Sequence, residues 1–447
     1  MLFSEGDARR LTERLLGLVT GQDAEVSVFS RIHAHARFAA NAFQTSAHSE
    51  TVSAGITVWV DGKRASASTS DLGDRALADT VAQAEALARI SPVDREYVPT
   101  LGPESYRPSS RFVEATAALP LDLRARQIHD ALAEADRARV TAAGFYQTEA
   151  VAGADATKHG NFRYTRSTLA SLGMTARTGE GGGSGYFLRS HVDVNRLDTV
   201  RVAREAVRRA VESRDARTLP PGAYPVILEA QAVADLAGGL NFDARSADEG
   251  RSAFAAPGGK TLVGTRVFDE RLNILSDPWH PDLPGAPFTA SGLPAAVVHA
   301  VRHGVLEQLT YSRFWAKTKG VAPTPGLVNR IMTSTVAPVG LDEMIRTTPR
   351  ALLVGRFWYI RSVDPRTAAY TGLTRDGVWL LEDGKIQYPV RNFRFNQSLL
   401  EMLAPGNVEA VGPSERVGSS EQQGFGAMLV PALRLKAFHF TSASDAV

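Results

Sequence analysis

Hydrophobic positions change their period several times along the chain. Over residues 5–19, Leu11, Leu15 and Val19 recur at every fourth position, which predicts an amphipathic helix. Over 50–60 the period drops to two. Val52, Ala54, Ile56, Val58 and Val60 alternate with Ser53, Gly55, Thr57 and Trp59, the pattern of a strand. Asp61-Gly62 then turns the chain into a return strand over Arg64–Ser68. A helix follows over 72–89, with Ser70 or Asp71 as its N-cap and Pro92 as its stop. Residues 93–120 are rich in Pro, Ser and Gly and read as a long connection. Leu121, Ala125, Ile128, Leu132 and Ala135 form the stripe of a second helix over 121–139. Short β-type runs follow at Val140–Tyr146, Arg163–Leu172 and Tyr186–Val192, and a third helix covers 197–213.

Thr218-Leu-Pro-Pro-Gly222 ends this half, because consecutive prolines fit neither a helix interior nor a central strand. Beyond it come a strand over Tyr224–Leu228, a helical segment over 230–241, and then mainly strands: Val263–Phe268, Val305–Tyr311, Leu352–Ile360 and Ile386–Phe395, with a hairpin turn at Asp383-Gly384. Strands and helices mix without a regular βαβ alternation. This predicts an α+β fold in two domains, an N-terminal one over 1–216 and a strand-rich C-terminal one over 223–447.

Composition narrows the function classes. The 447 residues are 44% hydrophobic and 22% charged, and 50 Lys+Arg against 48 Asp+Glu leave a formal net charge of +2. Only seven of the basic residues are lysines, and the arginines are scattered. That balance argues against a nucleic-acid or membrane-surface partner. No cysteine occurs, which excludes disulfides, thiolate metal sites and a cysteine nucleophile. No run of 18 apolar residues is present, and the first 19 residues lack the pattern of a signal peptide, so the expected location is cytoplasmic.

Motif searches find little chemistry. Gly258-Gly259-Lys260-Thr261 resembles the end of a phosphate loop, but Phe254 stands where a glycine is required, so a turn is the better reading. Gly181-Gly-Gly-Ser-Gly185 reads as a flexible loop. His299 and His303 would chelate a metal on a helix, yet lack a neighbouring glutamate. His33 and His35 share one face of an expected strand. Asp243, Asp248 and Glu249 form an acidic cluster whose spacing is wrong for calcium, and it reads as a polar loop.

Three stretches resemble the TldD/PmbA family, which includes both subunits of a bacterial peptide-processing metalloprotease. They are Gly55-Ile-Thr-Val-Trp-Val-Asp-Gly-Lys-Arg-Ala-Ser-Ala-Ser-Thr-Ser-Asp71; Phe288-Thr-Ala-Ser-Gly-Leu-Pro294 with Arg302-His-Gly-Val-Leu306; and Gly377-Val-Trp-Leu-Leu-Glu-Asp-Gly-Lys-Ile-Gln-Tyr-Pro-Val390. Their order and spacing follow the family over nearly the whole chain. The acidic run expected near Phe288–Ser291 is missing, and prolines crowd that region.

The resemblance implies a two-domain TldD/PmbA-like fold. In the family's catalytic subunit an H-E-x-x-x-H motif holds zinc and activates water. Counting back from Ser252-Ala-Phe254, which resembles the family's S-x-F, the motif positions fall on Asp235, Leu236 and Leu240. One aspartate cannot hold zinc against water, and leucine cannot take a proton. The resemblance therefore implies no catalytic residue, metal or cofactor in this chain, which matches the non-catalytic TldE/PmbA-type subunit. It further implies zinc in a TldD-like partner, a heterodimer and a peptide substrate. Asn241, Arg245 and Arg251 follow the degenerate helix and are the candidates for peptide contact. The alternatives are a homodimeric peptide-binding module on the same scaffold, and a relocated metal site at His299 and His303.

Overall fold

The computed structural model describes residues 1–418 and 426–444. The chain opens with helix α1 (Glu5–Gly17), started by a capping box in which Ser4 and Asp7 satisfy each other's backbone N–H groups. Strands β1 (Asp23–Ala39), β2 (Ala42–Val60) and β3 (Lys63–Thr69) form a meander, followed by helix α2 (Asp74–Ile90). A single turn of helix, α3 (Glu114–Ala117), interrupts the connection to α4 (Leu121–Arg137). Strands β4 (Thr141–Thr157), β5 (Phe162–Arg177) and β6 (Ser184–His191) and helix α5 (Thr199–Glu212) complete this half.

These strands make one antiparallel sheet in the order β3-β2-β1-β4-β5-β6. Its even-numbered residues along β1 are mostly apolar. Ala24, Val26 and Val28 pack with α1 and α2, while Ala36 and Phe38 pack with α4 and α5. All the long helices therefore cover one face, as a strand period of two requires. The opposite face carries His33, Glu149, Val151 and Leu169, and it turns toward the second half of the chain.

The second half opens with β7 (Gly222–Leu228) and helix α6 (Ala230–Ala237), then a short helix α7 (Ala244–Asp248). Its large mixed sheet is built around the long strand Met428–Ala443, which pairs with β7, with Val408–Val417 and with Phe393–Ser398. Strand Arg350–Val354 runs parallel to β7, and Val378–Glu382 and Lys385–Pro389 extend that side as a hairpin. The core beneath is rich in phenylalanine: Phe357, Phe393, Phe395, Phe438 and Phe440 pack ring to ring with centroids 4.8–5.6 Å apart. The strands of the first sheet end at His191 and those of the second begin at Gly222, so no strand crosses the double-proline break. The architecture is α+β, as the pattern predicts.

Several local readings need correction. The helix expected over 230–241 ends at Ala237, because Gly238 and Gly239 follow. A Cβ on Gly239 would collide with the Tyr370 ring, whose hydroxyl donates to the Gly239 carbonyl at 2.9 Å. Val263–Phe268 is not a strand; only Arg266 makes an isolated bridge, to Val305. The run Val305–Tyr311 contributes only Val305–Leu306 as strand. Leu352–Ile360 is two strands broken at Gly355-Arg356, and Ile386–Phe395 breaks at residues 390–392. The N-cap of α2 is Gly73 rather than Ser70 or Asp71, and the Asp71 carboxylate instead accepts the Gly73 N–H at 2.9 Å.

The glycine run at 181–185 is likewise no free loop. Gly181 and Gly182 make a turn with positive φ, and Gly185 lies in β6. A Cβ on Gly183 or Gly185 would overlap the carbonyl oxygens of Ala210 or Ala206. The glycines let α5 lie directly on the strand.

Candidate functional site

Helix α6 runs from the end of β7 into the core. Ala232, Val233, Leu236 and Ala237 are fully buried, and Leu236 and Leu240 are 2% and 1% exposed. Asp235 is half-buried. Its carboxylate accepts the Phe357 N–H at 3.0 Å and the Gln231 side-chain amide at 2.9 Å, which ties α6 to the strand beginning at Phe357. The open carbonyls at the helix end are taken by Arg330, which donates to Ala237 O and, at 3.1 Å, to Leu240 O.

Beside this helix end a cleft of about 410 Å³ opens between the helix-free face of the first sheet and the second half of the chain. Glu149, Val151, Ser167 and Leu169 come from β4 and β5. Leu283, Leu327, Val328 and Met428 supply apolar surface from the other side. Arg111, Arg330 and Arg416 supply positive charge. Burial lowers all three guanidinium pKa values, that of Arg416 to about 10, with Arg196 and Arg111 repelling it further. All remain charged at neutral pH.

A second polar group lies at the seam between β6 and the large sheet. Arg356 and Asp376 form an ion pair at 2.8 Å with both side chains about 95% or more buried. Asp376 also accepts the Ser184 hydroxyl of β6, and Arg356 stacks on the Tyr186 ring with its guanidinium carbon 3.9 Å from the centroid. Burial pushes the Tyr186 hydroxyl up to about 12. Next to it, Arg209 of α5 pairs with Glu229, the residue before α6. Arg209–Glu229, together with the contacts of Asp376 to Ser184 and Arg356 to Tyr186, joins the two halves of the chain beside the start of α6.

Family models place the chain. The PmbA/TldA metallopeptidase domain 1 matches residues 24–88, the central domain 106–214 and the C-terminal domain 221–442. This chain belongs to the PmbA/TldA metallopeptidase family. Solved structures agree in fold. A candidate modulator of DNA gyrase from Thermotoga maritima has a TM-score of 0.83 at 17% identity, over 97% of this chain and 100% of that one. TldE from Thermococcus kodakarensis has 0.83 at 15%, over 97% and 99%. A candidate modulator of DNA gyrase from Bacteroides thetaiotaomicron has 0.81 at 20%, over 99% and 100%. No curated protein matches the sequence. No helix among the described residues is long and apolar enough to cross a membrane.

The family name implies a metal, and the residues that the sequence reading aligns with its motif, Asp235, Leu236 and Leu240, do not fit one. The Asp235 carboxylate is committed to bonds within the protein, and Leu236 and Leu240 belong to the apolar core. Zinc sites take three or four nitrogen, sulfur or oxygen donors. Among the described residues no three His, Asp or Glu side chains stand together as such a set. No chemical step through a metal is derived for this chain.

The other sequence candidates disperse. His299 lies in strand Val298–Arg302 and His303 in the turn after it, with φ +46°, so the helical chelate does not exist. His33 and His35 do share a strand face, with ring centroids 5.2 Å apart, and His33 bonds Gln147 at 3.1 Å. Asp243 caps α7, Asp248 accepts from Trp315 at 2.7 Å, and Glu249 pairs with Arg245 at 3.0 Å. Asn241 accepts the Asp243 N–H at 3.1 Å. Arg245 also reaches Glu96 at 2.8 Å, and Arg251 pairs with Glu249. None of these three lines the cleft. The residues that do, Arg111, Arg330 and Arg416, carry no motif. Arg330 and Arg416 lie in strands and Arg111 in the loop before α3, and nothing in the sequence sets them apart from the other arginines.

His35, His191 and His299 have pKa values lowered from 6.5 by burial first, with neighbouring positive charge adding to it. A lowered histidine pKa means the unfolded chain takes up protons more readily. These groups therefore leave stability intact above about pH 6.5 and remove it as pH falls from there toward their folded values. Melting temperature is expected to drop between pH 7.5 and 5.5. His35→Asn with His299→Asn should flatten that slope, and an unchanged slope would exclude these groups as its source.

Proposed function

We propose that this chain is the non-catalytic, peptide-handling subunit of a TldD/TldE-type zinc metallopeptidase, with the zinc carried by a TldD-like partner in a heterodimer. The observation that supports it is α6. The helix that would present metal ligands instead presents Leu236 to the core and an aspartate tied to Phe357, and Leu240, just past its end, is buried in the same core. The cleft beside α6 has the size of a small-ligand or peptide side-chain site, with an apolar wall and a few charged groups. In this reading the chain holds an extended peptide against the first sheet while its partner supplies water activation. A likeness in fold to TldE accords with that role.

The test is co-purification with the partner, metal analysis and a peptidase assay. The chain alone is expected to carry far less than one zinc per molecule and to cleave no peptide, and the mixture is expected to carry zinc and cleave. Stoichiometric zinc with peptidase activity in the purified single chain would overturn the reading.

A further inference from the structure

The molecule gives most of its deeply buried arginines a carboxylate. Of the four arginines in the fully buried class, Arg163 holds Glu25 and Asp155, Arg209 holds Glu229 and Arg356 holds Asp376; the fourth, Arg124, donates to Thr148. The cleft beside α6 breaks the pattern three times. Among the described residues, Arg111, Arg330 and Arg416 have no carboxylate within 4 Å, although all three are half-buried along one wall-to-wall opening. Arg416 donates to the main-chain carbonyls of Ser190 and Asp282, each at 2.8 Å, and Arg330 to those of Ala237 and Leu240. Carbonyls fix the direction of a guanidinium without neutralising it. The acidic groups close by are already committed: Glu149 to Arg31 at 2.9 Å and Asp282 to Arg196 at 2.7 Å. Among the described residues the cleft therefore holds three guanidinium groups without a paired carboxylate, beside an apolar wall of Val151, Leu169, Leu283 and Val328.

We propose that this cleft is a carboxylate subsite, in which Arg111, Arg330 and Arg416 receive the free α-carboxylate of a peptide whose last side chain lies on the apolar wall. Guanidinium groups match carboxylates in geometry and bind them by charge-assisted hydrogen bonds, which strengthen where water is partly excluded. An apolar last residue fits because the remaining lining offers few free polar groups: Asn329 spends its amide on Asp277 and Leu283, and Thr168 donates to Val192. The negative charge of a bound carboxylate would also offset the desolvation of the three guanidinium groups. The site rests on the peptide-handling reading and specifies which end of the peptide is held.

The experiment uses the full chain and three N-terminally fluorescent peptides of one apolar sequence: the free acid, its C-terminal amide, and an amide with one internal glutamate. Anisotropy titration is expected to show the free acid binding at least about tenfold more tightly than the plain amide. Arg111→Gln and Arg416→Gln should each bring the free acid toward the affinity of the amide, leaving the amide unchanged. Arg111→Gln should keep its melting temperature within a few degrees, since its side chain makes no bond to the protein among those described. If Arg416→Gln fails to fold through loss of its two carbonyl bonds, Arg111→Gln and the amide comparison carry the test. Equal binding of acid and amide overturns the subsite while leaving peptide handling intact. Tight binding of the internal-glutamate amide assigns the site to a side-chain carboxylate and overturns the α-carboxylate placement. Peptide handling itself stands or falls on the metal and activity assay with the partner.

Discussion

Leu236→Glu is expected to destabilise the protein by about 4 kcal/mol or more, the range reserved for a buried charge without a partner. Leu236 is 2% exposed in the largest apolar cluster of the molecule. A carboxyl there would have its pKa raised by burial. The loss should therefore be smallest below about pH 4.3, where only the neutral carboxyl is buried, and grow as pH rises through the folded pKa, the direction expected when the unfolded chain gives up its proton first. Urea unfolding at pH 4 and pH 7 measures it. The combined change Asp235→His, Leu236→Glu, Leu240→His, which writes the H-E-x-x-x-H motif into α6, is expected to bind no zinc. Rewriting the letters does not move Leu240, which lies beyond the end of the helix with its carbonyl held by Arg330. A folded triple variant holding one zinc per chain would show that α6 keeps the geometry of a metal helix, and the argument for a silent subunit would lose its structural basis.

Asp376→Asn carries the second large effect. It leaves Arg356 charged, about 95% buried and without its carboxylate, which costs about 3–5 kcal/mol where single partners of buried pairs have been removed. The midpoint of denaturant unfolding should fall accordingly. Replacing both partners by apolar residues, Arg356→Met with Asp376→Leu, should recover most of the loss, because the uncompensated charge is gone. A loss under about 1 kcal/mol for Asp376→Asn would mean that solvent reaches the pair. Functionally, this pair, through its contacts to Ser184 and Tyr186, and Arg209–Glu229 join β6 and α5 to the second half beside the start of α6, so the double variant tests whether the seam is needed for assembly with a partner.

Much of the first half was legible because its elements are amphipathic. The alternation over 50–60 and the fourfold spacing in α1 and α4 each place one apolar face, and a sheet with helices on one side follows. The second half was less legible. Its strands are buried on both faces in places, as along Leu352–Val354 and Val378–Leu381, so no alternation marks where they stop. Gly355-Arg356 interrupts one such run, and there Arg356 pairs with Asp376, a contact no local pattern marks. The glycines at 183 and 185 looked like flexibility, and only the nearness of α5 shows that they are small for packing.

The sequence by itself determined the α+β class, the family membership through three dispersed stretches, and the absence of any H-E-x-x-x-H motif. Each is a matter of which residues are present or of their local period. The tertiary structure alone decided that Asp235 ties α6 to Phe357, that His299 and His303 never share a helix, and that Arg111, Arg330 and Arg416 meet in one cleft. Those outcomes depend on packing and charge between residues far apart in the chain, and a one-dimensional pattern carries no record of which distant groups become neighbours.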